Sequence, residues 1–183
     1  MINLYTERLL IRDHILDDLN THHELLSDEV SMRYLPDIKT KNIKESEQNL
    51  MKAIEDAKLK NRTFYFFRIE NKLTKEFIGE IGYTVSQDTP FGKLVDMGYF
   101  IKEKYWNQGY TTEALKKVME YAFKEDNVYR ISTGCIKENI GSENVMKKCG
   151  MIKEGEFKEY ALHEGKLKDR VTYRLLRKEW NNN

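Results

Sequence analysis

The stretch MGYFIKEKYWNQGYTTEAL, from Met97 to Leu115, decides how this chain is interpreted. Its apolar start, Met97 to Ile101, predicts a strand, and Gly109 followed by Thr111 and Thr112 predicts a loop that opens a helix. The first N–H groups of a helix have no partners within the helix, and the helix dipole adds partial positive charge there. The stretch therefore predicts a site that holds an anion.

Two common phosphate-binding motifs do not fit this loop. It contains no GxxxxGK[ST], and Gly109 lacks the companion glycines of GxGxxG. Successive backbone amides can still surround one anion here, because a glycine lets the backbone approach a ligand closely. The residues that would supply these amides are Gln108, Gly109, Tyr110, Thr111 and Thr112. An ordinary capped helix after a loop is the alternative interpretation.

Length and composition limit the class of protein. The 183 residues, 40% hydrophobic and 33% charged, predict one globular domain over residues 1–180 with a short tail, 181–183. The formal net charge of +1 argues against a general nucleic-acid binder. No apolar run approaches the roughly 20 residues of a membrane span, and no signal peptide opens the chain. We therefore expect a cytoplasmic protein with no membrane partner.

Cysteines and histidines show no metal-ligand spacing. Cys135 and Cys149 fit no CxxC pattern and are expected to be reduced thiols. The four histidines are His14, His22, His23 and His163. They form no ligand pattern and are interpreted as structural or solvated. The sequence thus predicts no metal site, and it disfavours an acyl-cysteine mechanism because no histidine lies beside either cysteine.

Hydrophobic periodicity predicts both helices and strands. Helices are expected from Asp13 or Asp17 to Leu26, and over Asp28–Tyr34, Asn42–Lys60, Gly109–Lys124 and Ser142–Cys149. Strands are expected over Leu4–Asp13, Thr63–Glu70, Phe77–Ser86, Leu94–Ile101 and Arg130–Ile136, followed by a hairpin of Met151–Leu162 and Leu167–Leu176. Antiparallel hairpins that flank two βα units indicate an α+β fold.

The loop resembles motif A of the GNAT acetyltransferases, which holds the pyrophosphate of acetyl-coenzyme A. The six motif positions fall on Trp106 to Thr111, with Gly109 as the central glycine. The run is also similar to Tyr-Trp-x-x-Gly-Tyr-x-Thr-Glu-Ala, which is usual in the branch of bacterial ribosomal-protein N-terminal (alanine) acetyltransferases. The matching residues are Tyr105, Trp106, Gly109, Tyr110, Thr112, Glu113 and Ala114.

Further segments resemble the family in the same order along the chain. They are Thr6–Arg12, Met97–Phe100, Asn139–Ser142 with Lys148–Met151, and a closing stretch from Gly155 through Asp169 to Trp180. The resemblance implies a GNAT-like mixed, mostly antiparallel central sheet of about seven strands with helices on both faces. It also implies transfer of an acetyl group from acetyl-coenzyme A to a primary amine by direct attack.

Direct attack requires a neutral amine. An α-amino group with a pKa of about 7.7 is roughly one-sixth neutral at pH 7, whereas a lysine with a pKa of about 10.4 is almost entirely charged. A carboxylate acting through water commonly removes the proton. Asp96, before the core of the cofactor strand, and Glu80, in a strand with Gly79 and Gly82, are the candidates for this base. Each is equally compatible with a solvated strand carboxylate.

The resemblance implies roles for further residues. The cofactor strand at Phe100 and Ile101 is expected to bind the co-substrate, with a backbone N–H near Phe100 stabilising the thioester oxygen. Many relatives protonate the leaving thiolate with a tyrosine where this chain has Met146, and in the similar branch Ser142 is the substitute. Asn139 is expected to bind the pantetheine arm. For Ser142 and Asn139 a helix-capping role is the alternative.

The acceptor amine is not specified by the sequence. The walls of the acceptor-binding site are expected to be formed by the helices of Asp28–Lys60, the strand of Glu80–Thr84 and the final hairpin. Protein N-termini, polyamines, amino acids and aminoglycosides all remain open as acceptors, and a homodimer remains open as well. A non-catalytic acyl-coenzyme A sensor of the same fold is the alternative function. A nucleotide-dependent transferase is disfavoured because the loop lacks a Walker lysine.

Overall fold

The computed structural model describes residues 1–180, so the expected tail at 181–183 lies outside the described residues. The strands are β1 (Asn3–Tyr5), β2 (Leu9–Asp13), β3 (Phe64–Asn71), β4 (Phe77–Thr89), β5 (Gly92–Ile101), β6 (Val128–Ile136), β7 (Ile152–His163) and β8 (Lys166–Leu176). The α-helices are α1 (Leu19–Ser27), α2 (Ile43–Asp56), α3 (Tyr110–Lys124), α4 (Ile140–Lys148) and α5 (Arg177–Trp180). Short 3-10 helices cover Leu16–Asp18 and Glu103–Tyr105.

All eight strands form one sheet in the order β1-β2-β3-β4-β5-β6-β8-β7. Neighbouring strands run antiparallel except for β5 and β6, which are parallel and are joined by the crossover helix α3. This arrangement confirms the expected α+β fold with a mostly antiparallel sheet. Within residues 1–180, no helix combines the length and the apolar character that crossing a membrane requires.

The strand count exceeds the expected seven because the first predicted strand, Leu4–Asp13, is divided. A turn over Thr6–Arg8 separates β1 from β2, which then pair as a hairpin. The Thr6 hydroxyl accepts a hydrogen bond from the Leu9 amide at 2.8 Å, and the Glu113 carboxylate of α3 accepts one from the Arg8 amide at 3.0 Å. The turn is therefore stabilised by a residue far away in sequence, and hydrophobic periodicity, which is a local pattern, cannot predict such a contact.

The region between α1 and α2 also differs from the prediction. Asp28–Tyr34 forms turns, whereas a helix was expected there. The Asp28 carboxylate accepts a hydrogen bond from the Ser31 amide at 2.7 Å, and such a local side-chain bond competes with helical pairing. The N-cap position of α1 is Asp18, so neither Asp13 nor Asp17 is the cap. The Asp18 carboxylate accepts from the Ile15 amide at 2.9 Å, at the start of the preceding 3-10 helix.

The two faces of the sheet carry different side chains. One face packs against α3 and is apolar, with a core that includes Ile81, Val95, Leu115 and Val118. The other face packs against α1 and its following loop, where Leu25, Leu26 and Met32 cover Phe77 and Phe100. Alternation along each strand separates these two sets of residues. Helices on both faces are thus confirmed.

The final hairpin forms as predicted. β7 and β8 meet at a two-residue turn, Glu164-Gly165, in which both residues have positive φ values of 48° and 73°. These values match the type of turn that suits a tight hairpin. The tip reaches the loop after α1, where Arg33 Nε lies 3.2 Å from Glu164 Oε1 and Tyr34 packs on His163 at 5.4 Å between ring centroids.

Candidate active site

A gap opens in the middle of the sheet where β5 and β6 stop pairing. Their parallel ladder runs from Lys93 opposite Val128 to Asp96 opposite Ser132. Beyond this point β5 stays paired with β4 as far as Ile101, and β6 stays paired with β8. The two strands therefore diverge and direct backbone groups into the space between them.

The register shows which β5 groups face the gap. The Lys102 amide donates to the Ile78 carbonyl at 2.9 Å, so by alternation the amide of Phe100 belongs to the ladder with β4. The amides of Tyr99 and Ile101 point the other way, toward the gap. The backbone donor expected near Phe100 is therefore not the Phe100 amide itself. The amides of its two neighbours, Tyr99 and Ile101, have the direction that this role requires.

The predicted anion loop leads directly into α3. Gly109 adopts a left-handed conformation with φ of 81°, and its carbonyl accepts the first helical hydrogen bond, from the Glu113 amide at 3.0 Å. The amides of Tyr110, Thr111 and Thr112 precede that bond and lie in the helix's unpaired first turn. The loop thus has the local geometry that the sequence predicted for an anion site.

Arg8 fastens this loop to the start of the chain. Its Nη1 donates to the Gln108 carbonyl at 3.0 Å, and its guanidinium lies 4.3 Å from the centroid of the Tyr110 ring. Its Nε donates to Glu113 at 2.6 Å. Burial opposes ionisation of Glu113, but hydrogen bonds from Thr6 and Arg8 outweigh it and lower the pKa of the carboxyl. Contacts with Arg8, which is distant in sequence, therefore stabilise the conformation of the loop.

The start of α4 brings two hydroxyls together beside the gap. Asn139 is the N-cap and accepts from the Ser142 amide at 3.1 Å. The Ser142 hydroxyl lies 3.1 Å from the Tyr99 hydroxyl, and Tyr99 also donates to the Ser142 carbonyl at 3.1 Å. Burial raises the pKa of Tyr99, which keeps its proton in place. Met146 is buried in the core. The sequence interpretation missed Tyr99, although strand alternation could have set it apart from Phe100.

The two candidate bases share one face of the sheet but differ in exposure. Asp96 is opposite Thr84 and Glu80 is opposite Phe100, with the facing pair Gly82 and Gly98 between them. Asp96 is exposed. Glu80 is fully buried, and its Oε1 lies 2.6 Å from His22 Nδ1. The space where a Cβ of Gly98 would be is open, so the sheet beside Asp96 has room for a ligand.

The structure also brings together histidines that the sequence analysis left separate. One ligand atom from each of His14, His22 and Glu80 lies within 4.8 Å of the others, although no metal site was predicted. Their wide spacing in sequence hid this arrangement. Cys135 and Cys149 are both free and buried, and burial raises the pKa of Cys149 to about 12. Such a thiol is a poor nucleophile.

Comparison with known proteins agrees with this geometry. Residues 8–152 match the family described as "Acetyltransferase (GNAT) domain". The uncharacterized N-acetyltransferase YnaD of Bacillus subtilis is 32% identical over 192 residues, which cover 98% of this chain and 100% of that protein.

Two solved structures share the fold. The ribosomal-protein-S5-alanine acetyltransferase of Vibrio fischeri superposes with a TM-score of 0.84 at 21% identity, over 98% of this chain and 99% of that one. The spermidine N-acetyltransferase of Vibrio cholerae, solved with CoA and spermine, gives 0.83 at 20% identity, over 97% and 100%. The chain belongs to the GNAT family of acetyl-coenzyme A-dependent N-acetyltransferases.

Proposed function

We propose that this acetyltransferase acetylates a protein N-terminus or a small primary amine by direct attack, with donor and acceptor meeting at the gap between β5 and β6. The observation that carries this proposal is that the gap opens at Asp96, whose carboxylate is exposed. Acetyl-coenzyme A supplies the acetyl group as an activated thioester. The relatives named for a ribosomal-protein alanine and for spermidine define the acceptor classes to test first.

The backbone around the gap fits such a donor. The first-turn amides of α3, with Gln108 and Gly109, would bind the pyrophosphate. The gap-facing amides of Tyr99 and Ile101 would bind the pantetheine arm and stabilise the negative charge that grows on the thioester oxygen. The Asn139 side-chain oxygen already caps α4, so only its amide nitrogen is left for the arm.

Asp96 is the general base in this proposal. Its exposure lets it share a water molecule with an incoming amine, whereas full burial separates Glu80 from solvent. An α-amino group needs little help at neutral pH because its ordinary pKa is about 7.7. A small decrease in kcat on replacing Asp96 would therefore indicate an N-terminal acceptor. A large decrease would indicate an alkylamine.

Ser142 is the general acid, with Tyr99 as its positioning partner. The Ser142 hydroxyl would donate its proton to the departing thiolate and regain one from solvent water. The Tyr99 hydroxyl, 3.1 Å from the Ser142 hydroxyl, would orient it, and the raised pKa of Tyr99 keeps the phenol protonated in that contact. The pair would thus take the place of the tyrosine that Met146 replaces.

The decisive experiment follows thiol release from acetyl-coenzyme A against a panel of N-terminal peptides, polyamines and amino acids. If the best acceptor is an alkylamine, Asp96→Asn is expected to lower kcat by about 100-fold, within the range for general bases, and by less if it is an N-terminal α-amino group. Asp88→Asn is the matched control, because Asp88 is exposed farther along the neighbouring strand β4. Unchanged kcat in Asp96→Asn would remove Asp96 from the mechanism. Binding of acetyl-coenzyme A with no turnover on any acceptor would favour the sensor function.

We also propose a cytoplasmic location and a homodimer. The two free, buried thiols support a reducing compartment. β7 lies at the edge of the sheet and exposes Phe157 and Tyr160, which would suit contact with a second copy. Light scattering of the purified protein tests the dimer, and a monomeric mass across the working concentration range would exclude it.

A further inference from the structure

A cluster of donor atoms lies between α1 and the sheet, with its carboxylate on β4, the strand next to β5. His14 follows β2, His22 lies in α1 and Glu80 lies in β4, and the side chains of all three have 0% exposure. Phe66 stacks on His14 with 5.5 Å between ring centroids. The cluster is therefore closed off from water by the helix above it and the aromatic ring beside it.

The two imidazoles converge on one carboxylate oxygen. Glu80 Oε1 lies 2.6 Å from His22 Nδ1 and 3.7 Å from His14 Nε2. Ligand atoms bound to a common tetrahedral ion at 2.0–2.1 Å are about 3.4 Å apart. These two separations lie within 1 Å of this value, on either side of it, and all three ligand atoms lie within 4.8 Å of one another, so small shifts would place them around one ion.

The carboxylate of Asp18 faces His14 Nδ1, the ring nitrogen on the far side from Glu80. Asp18 Oδ2 lies 3.4 Å from His14 Nδ1, while Arg12 donates to the two carboxylate oxygens of Asp18 at 2.8 and 2.9 Å. A proton on Nδ1, facing this carboxylate, leaves the Nε2 lone pair directed at Glu80. An imidazole that is oriented by a carboxylate on its far nitrogen is a common second-shell feature of metal sites.

The surrounding charges leave Glu80 without a guanidinium partner. Arg12 and Arg68 lie within 3.5 Å of both Asp18 and Glu70, which balances two positive with two negative charges. Asp13 is also buried and pairs with Arg62 at 2.7 Å, whereas Glu80 has no such partner among the described residues, and an unmatched buried charge is costly. Within residues 1–180, Glu80 Oε2 and His14 Nε2 have no hydrogen-bond partner. A bound cation would use both atoms.

We propose that His14, His22 and Glu80 form a structural site for a divalent transition-metal ion such as Zn²⁺. Two imidazole nitrogens and a carboxylate suit zinc, and the second oxygen of Glu80 would complete four-coordination. The ion would join α1, the segment after β2 and the sheet. It would stabilise the fold and take no part in acetyl transfer.

Metal binding to the purified full chain tests the proposal. After dialysis against a chelator, Zn²⁺ is expected to bind at one equivalent per chain and to raise Tm by about 5–10 °C at hundredfold excess over Kd. Co²⁺ should give the visible absorption of a four-coordinate site. His14→Gln and Glu80→Gln should weaken binding by more than tenfold.

His23→Gln is the matched control, because His23 lies on the same helix but bonds to the Ser46 hydroxyl at 2.8 Å. This variant should bind Zn²⁺ as the unaltered protein does. Equal loss in His23→Gln would indicate surface binding and overturn the proposal. Substoichiometric binding and an unchanged Tm in the unaltered protein would also overturn it, even if the cluster variants fail to fold. In that case a proton shared between imidazole and carboxylate would match the charge of Glu80.

Discussion

The two faces of the central sheet are stabilised by different kinds of interaction. The face under α3 buries apolar side chains such as Ile81 and Leu115, and its stability comes from area removed from water and from close packing. The face under α1 buries ionised groups, including Arg68, Asp18 and Glu70, beside a smaller apolar cluster. An apolar core tolerates substitution by apolar side chains of similar shape. A cluster of buried charges tolerates only substitutions that keep its positive and negative charges balanced.

The largest expected effect is the loss of one partly buried guanidinium, that of Arg12. Arg12→Leu leaves Asp18 and Glu70 buried with one fewer positive neighbour, so the free energy of unfolding should fall by about 4 kcal/mol. Urea denaturation measures this change. Arg12→Lys keeps the charge but loses the paired bonds, so it should fall between the two proteins. If Arg12→Leu were as stable as the unaltered protein, the α1 face would not depend on matched charges.

A cavity on the opposite face should cost somewhat less. Leu115→Ala removes a fully buried side chain from α3, and we expect a loss of about 3 kcal/mol. Since no charge is involved, urea denaturation at pH 7 and at pH 4 should give the same difference from the unaltered protein. A loss that varies strongly with pH would contradict the distinction between the faces.

Acid should weaken the α1 face through Asp18. Burial opposes ionisation of Asp18, but hydrogen bonds from His14, Arg12 and the Ile15 amide outweigh it and hold the pKa of the carboxyl well below its usual range. A lowered folded-state pKa gives stability that is present above the unfolded pKa of about 3.9 and is lost as pH falls below it. Below about pH 4 the unfolding free energy should fall by up to about 1.4 kcal/mol per pH unit through this group. Asp18→Asn should show a correspondingly shallower slope in urea titrations.

A solvent-exposed pair on α3 should matter least. Lys117 Nζ lies 2.9 Å from Glu120 Oε2, with both side chains about one-third exposed. Lys117→Ala should change the unfolding free energy by only about 0.3 kcal/mol, and salt should remove the difference. Denaturation at low and high salt gives the comparison. A loss above 1 kcal/mol would show that charge matters on both faces alike.

The same contrast explains how much the sequence could predict. Periodicity located α2, α3, the central strands and the final hairpin, because each element buries one face. It placed the helix at Asp28–Tyr34 wrongly, because a side-chain bond from Asp28 redirects the backbone there. It also merged β1 with β2, because their turn depends on Glu113 of α3. Contacts between distant residues leave no local pattern.

The candidate site divides in a similar way. The loop at Gly109 could be predicted from local chemistry, since a glycine before a helix permits the left-handed backbone found there, but its contacts with Arg8 could not. The Tyr99–Ser142 contact and the burial of Glu80 depend on how β4, β5, α1 and α4 come together. The assignment of Asp96, Glu80 and Ser142 as catalytic groups remains a prediction.

The parallel junction of β5 and β6 has a consequence for folding order. β1 to β5 pair in the order in which they occur along the chain, although a long excursion through α1 and α2 precedes β3. β6 pairs with β5 only after the chain has passed through α3, and β6 receives its other neighbour last, from β8. Pairings between distant segments form slowly because loop closure must precede them. A chain emerging from the ribosome would therefore assemble the scaffold of β1 to β5 first and acquire a complete cleft for acetyl transfer only after β8 has emerged.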